Sequence, residues 1–307
     1  MQTILGANGL IGTEIARTLP QYTSGIRLVS RNPRAVNQGD ELVSADLTDP
    51  VQTEKAIAGS EVVYLTIGLP YKLKVWETQW PVVMKNVIEG CKKHGAKLVF
   101  FDNVYMYGKV NGWMTEETPH HPTSKKGVVR AKIADMILEE VAKGKLTAQI
   151  ARSADFYGKT PLSFVSVMVF DNYAKGKAAQ WMISEKFKHS FTFIPDAGKA
   201  TALLGNTPDA YNQIWHLPTD KNVLTGKEFI EKTAAAFGVA PKYTVLSKFM
   251  LRLVGLFVPV VGESVEMLYQ SEGDYLFDSS KFDRRFSFPT TSYQEGIKAT
   301  VKLYSGN

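Results

Sequence analysis

Three glycines spaced by two residues each, Gly6, Gly9 and Gly12, follow a short β-branched run, Gln2–Leu5, and open a segment of helical periodicity over residues 10–19. A chain that leaves a strand through such a loop and turns at once into a helix has few folds open to it. Gly6 permits the tight turn off the strand, Gly9 lets backbone N–H groups approach a pyrophosphate, and Gly12 lets the helix lie close to the sheet. The helix N-terminus adds partial positive charge. Asn8 is placed to brace the loop through side-chain to backbone hydrogen bonds. Residues Gly6, Asn8, Gly9, Leu10, Ile11 and Gly12 therefore read as the cradle for a dinucleotide.

The rest of the first half keeps the same beat. Strand-like runs over 26–30, 41–44, 61–65, 97–102 and 147–154 alternate with helical patterns over 51–58, 76–93 and 127–143. Such alternation with short connections predicts βαβ units and a parallel sheet covered on both faces. The fold class expected is α/β, a Rossmann-type doubly wound parallel sheet, with a smaller, irregular α/β C-terminal substrate lobe. The expected division is 1–158 for the dinucleotide-binding domain and 159–307 for the lobe, the chain interleaving between them. In the lobe, helices are expected over 163–175, 196–204, 225–237, 248–257 and 292–303. The apolar stretch 249–261, interrupted by Arg252 and Pro259, is read as a core or lobe-packing helix rather than a membrane contact.

An NAD site usually carries an acid at the end of the second strand, for the ribose 2′-hydroxyl. Here that position reads Ser30-Arg31-Asn32-Pro33-Arg34. Ser30 and Arg31 suit a 2′-phosphate instead, which favours NADP, with NAD as the alternative. Asp46 and Leu47 after the third strand are placed toward the adenine, and Thr66, Ile67 and Gly68 after the fourth toward the ribose or nicotinamide. The net charge of +6 suits an anionic ligand, but the cations are scattered and form no nucleic-acid signature. The five histidines show no metal-ligand spacing, so no metal is implied, and Cys91 reads as a buried, inert thiol. With neither a leader pattern nor a membrane-span-like run, a cytoplasmic protein with a small-molecule substrate is expected, without nucleic-acid or membrane partners.

At this point the chain resembles the short-chain dehydrogenase/reductase superfamily in its extended or atypical branch, the NAD-dependent epimerase/dehydratase type. The resemblance rests on the glycine loop, on Val62-Val63-Tyr64-Leu65, and on Asp102-Asn103-Val104-Tyr105-Met106-Tyr107-Gly108. It continues in Arg152-Ser153-Ala154-Asp155-Phe156-Tyr157-Gly158, Phe193-Ile194-Pro195-Asp196 and Trp215-His216-Leu217-Pro218. It implies an oxidoreductase or epimerase/dehydratase acting on a nucleotide sugar or small polar substrate. It also implies a homodimer through the helices at 76–93 and 127–143.

Active relatives carry a Ser or Thr after the fifth strand and a Tyr four residues before a Lys. Four residues apart on a helix share a face, so the cation can lower the phenol pKa. This chain departs from that pattern, because residues 124–135 contain no tyrosine. Aligned on Gly127, Lys126 takes the tyrosine position and Arg130 the lysine position; aligned on Lys132, Val128 takes the tyrosine position. Asn103 stands at the Ser/Thr position. The candidate catalytic set is therefore Asn103, Tyr105, Tyr107, Lys126 and Arg130. Asp155 and Tyr157 are expected on the substrate side, and Asp196 as a helix cap. Without the usual pair, a non-catalytic NADP sensor or scaffold is the competing reading, and a reductase of an apolar substrate lined by Met168, Phe170, Trp181 and Phe193 is a third.

Overall fold

The computed structural model describes residues 1–305. The chain divides into two compact units, and it passes between them repeatedly. Met1–Gly108, His120–Ser153 and Pro195–Leu217 make the first, while Lys109–Pro119, Ala154–Ile194 and the chain from Pro218 make the second.

The first unit is built on strands β1 (Gln2–Leu5), β2 (Ile26–Ser30), β3 (Glu41–Ser44), β4 (Val62–Leu65), β5 (Lys97–Asp102), β6 (Ala148–Arg152) and β7 (Ile214–His216). They form one sheet in the order β7-β6-β5-β4-β1-β2-β3, every neighbouring pair parallel. Helices α1 (Leu10–Thr18), α2 (Pro50–Ile57), α3 (Leu73–His94), α4 (Lys125–Ala142) and α5 (Ile194–Gly205) belong with it, Ile194 being the last residue of the second unit. Strands β1, β4 and β6 are buried at every position, as parallel strands covered on both faces must be. The edge strand β3 is mostly exposed.

Helix α3 buries Trp76, Trp80, Val83, Met84, Val87, Ile88 and Cys91, the three- and four-residue steps of a single face. That face joins Phe100, Ile133, Ile137 and Ile150 in one core. Burial raises the Cys91 thiol pKa to about 12, so it packs as a small apolar side chain. Asp49 caps α2 by accepting from the N–H groups of Val51 and Gln52, and Ser124 caps α4 from that of Gly127.

The second unit has its own core of Tyr157, Val165, Val169, Phe170, Trp181, Phe191, Phe229, Tyr293 and Ile297. Three short parallel pairs frame it: Asp155–Tyr157 with Phe191–Phe193, Ala179–Met182 with Tyr243–Leu246, and Trp113–Met114 with Leu276–Phe277. The helix Gly226–Phe237 starts in a capping box between Thr225 and Glu228 and stops at Gly238, whose φ is +70°.

Three expectations change. The strand expected over 147–154 ends at Arg152, and a separate strand begins at Asp155 in the other unit. The helix expected over 163–175 is present over 164–174, but its middle, Ser166–Phe170, is π-helical. The apolar stretch 249–261 is not a core or lobe-packing helix: in its helices Lys248–Gly255 and Pro259–Ser264, Leu251 is the only buried residue. Apolar composition alone could not separate a buried segment from one whose apolar side chains are left in water.

Helix α5 crosses α1 at Gly198, where an added Cβ would stand 2.2 Å from Glu14 Cβ and 3.0 Å from its carbonyl carbon. Gly198→Ala is expected to cost about 1–3 kcal/mol by overpacking, read as a lower urea midpoint with an unchanged slope.

Candidate functional site

In the first unit the strand order reverses between β1 and β4, whose last residues, Leu5 and Leu65, are register partners. Open α/β sheets take ligands outside the carboxyl ends of the strands at such a reversal. Gly6 has φ +97°, and a Cβ on it would meet the backbone nitrogen of Ile67 at 2.7 Å. At Gly12 a Cβ would lie 2.6 Å from the Gly6 carbonyl oxygen and 3.0 Å from Thr66 Oγ1. Thr66 donates to the Leu5 carbonyl from its N–H at 2.9 Å and its hydroxyl at 3.2 Å. Gly68 is exposed, with open space where a side chain would be.

Helix α1 begins on this edge with Gly9 as N-cap, no side-chain cap and no acid in its first turn. Its terminal N–H groups and dipole are thus left to an anion. Asn8 braces the loop: Nδ2 donates to the Asn32 carbonyl at 2.6 Å, and Oδ1 accepts from the Arg34 N–H at 3.2 Å. These two bonds hold the glycine loop to the segment after β2.

Ser30 Oγ accepts from the Asn32 N–H at 3.2 Å. Arg31 is exposed, its guanidinium makes no hydrogen bond or close ion pair among the described residues, and its charge acts on the Asp46 carboxylate. Asp46 Oδ1 accepts from the Thr48 N–H at 2.9 Å and its hydroxyl at 2.8 Å, and these bonds, the backbone one foremost, lower its carboxyl pKa. Leu47 is buried, and its carbonyl accepts from Thr53 Oγ1 and Asn86 Nδ2. It therefore packs beneath this edge rather than lining it. The glycine turn and the uncapped helix start fit the pyrophosphate of a dinucleotide.

The five candidate catalytic residues fall into two groups. On α4, Lys126 and Arg130 are buried and point inward, whereas Val128 is 54% exposed and Lys132 is exposed as well. The frame set on Gly127 is thus the one in which both cations face the interior. Gly127 itself sits against the turn Tyr105–Tyr107, since a Cβ there would be 2.6 Å from the Tyr105 carbonyl oxygen. Lys126 Nζ lies 4.7 Å above the Tyr71 ring. Tyr71 meets Trp76 edge-on, and Trp76 stacks on Tyr105 at 15°. Asn103 Oδ1 accepts from the Tyr105 N–H at 3.0 Å, and its Nδ2 is left as a donor. Asn103, Tyr105 and Lys126 thus share a cluster with Tyr71 and Trp76, two residues to which sequence reasoning gave no role.

Arg130 and Tyr107 belong to a different construction. Arg130 donates to Asp102 Oδ1 from Nε at 2.8 Å and also from Nη2, with its guanidinium 4.6 Å from the Trp80 ring and 5.0 Å from that of Phe100. Arg152 Nε stands 3.5 Å from Asp102 Oδ2. Arg152 then donates from Nη1 to the Tyr107 hydroxyl at 2.8 Å, and the hydroxyl meets His216 Nε2 at 2.7 Å. So occupied, Arg130 is held away from lowering a phenol pKa, and Tyr107 is an interior strut rather than an open phenol. Arg152 also reaches His120 Nε2 at 2.8 Å, and His120 Nδ1 meets Asp135 at 3.0 Å.

In the second unit Tyr157 is not a pocket-lining residue. It is 1% exposed and packed among Phe193, Phe229 and Tyr293. Asp155 pairs with His189 Nε2 at 2.9 Å. Phe170 and Trp181 are core residues of that unit. Asp196 lies within the first turn of α5 rather than before it.

A family model described as the NAD dependent epimerase/dehydratase family matches residues 3–216. The chain belongs to that family. Epimerase/dehydratase structures share the fold. The UDP-glucuronic acid 4-epimerase of Bacillus cereus, with UDP-glucuronic acid and NAD, aligns at TM-score 0.81 and 17% identity, covering 100% of this chain and 99% of that one. The UDP-glucose 4-epimerase of Thermus thermophilus, with NAD, aligns at 0.79 and 18%, covering 100% and 99%. A dTDP-glucose 4,6-dehydratase of Streptomyces venezuelae aligns at 0.79 and 16%, covering 100% and 97%. A curated relative, the 3beta-hydroxysteroid-dehydrogenase/decarboxylase isoform 2 of Arabidopsis thaliana, is 24% identical over 298 residues, 86% of this chain. The chain spans about half the length of that relative, 52%.

Asp102 pairs with the buried Arg130 and faces the buried Arg152, so Asp102→Ala is expected to cost about 3–5 kcal/mol, seen as a lowered unfolding midpoint. His120 gives a pH signature. Burial, then the nearby Arg152 charge, lowers its pKa below 6.5 in the fold. Above pH 6.5 the ring is neutral folded or unfolded; below it the unfolded chain takes the proton first, so stability falls as pH drops toward the folded pKa. The decline should flatten in His120→Gln, measured by urea unfolding across that range.

Proposed function

We propose that this protein binds NADP across the reversal between β1 and β4 and uses it on a nucleotide-linked or small polar substrate, with an active site that replaces the family's Tyr-Lys pair. The observation that carries the cofactor part is the segment after β2, where Arg31 is unpaired and no carboxylate follows the strand. A 2′-phosphate would meet Arg31 and Ser30 there, and a 2′-hydroxyl would find no acid to accept from it. The pyrophosphate would take the N–H groups at the start of α1. A nicotinamide held at this edge supplies hydride transfer.

The chain's own residues then have distinct tasks. Asn103 Nδ2 donates a hydrogen bond to the substrate oxygen. Lys126, at the tyrosine position and one turn from Arg130, holds or gives the proton. Tyr71, Trp76 and Tyr105 shield the ammonium from water, and the Arg130–Asp102 pair fixes the helix that carries it. A nucleotide-sugar substrate is supported by family membership and by neighbours named as epimerases and a dehydratase of UDP- and dTDP-sugars.

A second reading, a non-catalytic NADP sensor, is favoured by one observation: Arg130 and Tyr107 are committed to the interior network. One experiment separates the readings. NADPH and NADH are titrated in parallel by nicotinamide fluorescence into wild type and Arg31→Ala, and conversion of a panel of UDP- and dTDP-sugars by the protein loaded with NADP+ is then followed by analysis of the sugar products. Preference for NADPH should fall about tenfold or more in Arg31→Ala, the loss of one charge-assisted contact. Turnover should vanish in Lys126→Met with NADPH affinity kept. Tight NADPH binding with no turnover on any sugar leaves the sensor, and binding of neither cofactor ends both readings.

A further inference from the structure

The second unit carries an apolar protrusion that neither the dinucleotide edge nor the cluster around Lys126 uses. It is formed by the helices Lys248–Gly255 and Pro259–Ser264, which touch where Gly255 faces Gly262; a Cβ on Gly255 would lie 2.9 Å from Gly262 Cα. With so close a contact the two helices hold together as a short hairpin. Phe249, Leu253, Leu256, Phe257, Val258 and Val260 are all large, apolar and exposed, Leu256 and Phe257 by 77% and 80%. Exposed apolar side chains scattered singly need no explanation, but a contiguous run of them marks an interaction surface.

We propose that this hairpin docks on an anionic lipid surface, its apolar tip sinking between the acyl chains while neighbouring cations meet the headgroups. Charge is what selects the occupant. Between Phe249 and Gly262 the sequence contains one charged residue, the exposed cation Arg252. Lys242, also exposed, precedes the hairpin, and the whole chain carries +6. The acids near its base begin at Glu263, and Glu272 is neutralised by Lys248. A tip free of carboxylates that carries the exposed cation Arg252, with Lys242 before it and the acids Glu263 and Glu266 only behind it in the chain, has the composition of an interfacial anchor. Exposure favours lipid over a second copy of the chain. The apolar side chains continue through both helices and the turn between them, which suits insertion into a fluid phase better than a flat two-fold patch. No described helix is long and apolar enough to cross a membrane.

The test is co-sedimentation of the intact protein with mixed phosphatidylcholine and phosphatidylglycerol vesicles and with pure phosphatidylcholine vesicles. Wild type is compared with the double variant Leu256→Glu, Phe257→Glu and with Arg252→Glu. Both leucine and phenylalanine are so exposed that the double variant should keep the wild-type thermal midpoint, which circular dichroism checks. The expected result is sedimentation with the mixed vesicles, weakened by added salt. Binding should fall about tenfold or more in the double variant and by a smaller factor in Arg252→Glu. Absence of wild-type sedimentation, or sedimentation that the double variant leaves intact, overturns the proposal. A wild-type dimer in gel filtration that the double variant dissociates, without vesicle binding, overturns it in favour of a second copy.

Discussion

Much of the first unit is organised around a single buried carboxylate. Asp102 ends β5, accepts from the neighbouring Asn103 N–H at 2.8 Å, and faces Arg130 from α4 and Arg152 from the end of β6. Three segments distant in sequence therefore meet at one charge. An ion pair in such a place contributes little net stability over an apolar packing of equal volume, yet breaking it is costly because the remaining charges have nowhere to go. Its value is directional. Guanidinium groups accept few geometries around a carboxylate, so the pitch of α4 against the sheet is set, and with it the position of Lys126.

Geometry at the glycine loop is set by a different force. Backbone contact between the glycine turn and the residues after β4 leaves no room for side chains at Gly6 or Gly12. Polar bonds from Asn8 then carry that rigidity to the segment containing Arg31. One side of the edge is thus fixed by steric exclusion and hydrogen bonds, the other by charge.

The parallel sheet could be read from the sequence because its strands are short runs bounded by turn residues and buried on both faces. Strands β1, β2, β3 and β5 have the ranges expected of them. The glycine loop was legible for the same reason: spacing and position in the alternation specify it. What sequence could not rank was the partner of each polar group. Arg130 reads as a catalytic cation until Asp102 is found 28 residues away in the chain. Tyr157 reads as a pocket residue until it is seen packed against three aromatic rings of the second unit, Phe193, Phe229 and Tyr293, and over Gly296. Frames differing by two residues on α4 were equivalent on paper, because burying two cations runs against the usual rule for charged side chains.

The interleaved path of the chain bears on how the protein can be made. Strand β7 and most of α5 come from residues 195–217, after the chain has already contributed Ala154–Ile194 to the other unit. During synthesis on the ribosome, β6 therefore waits without its outer neighbour while some sixty residues emerge. Its edge, with the buried Arg152 and Gln149 on it, stays open for that interval. A fragment cut after the glycine-loop half would keep that open edge permanently and invite strand-to-strand aggregation, so the dinucleotide-binding half is not separable by a single cut.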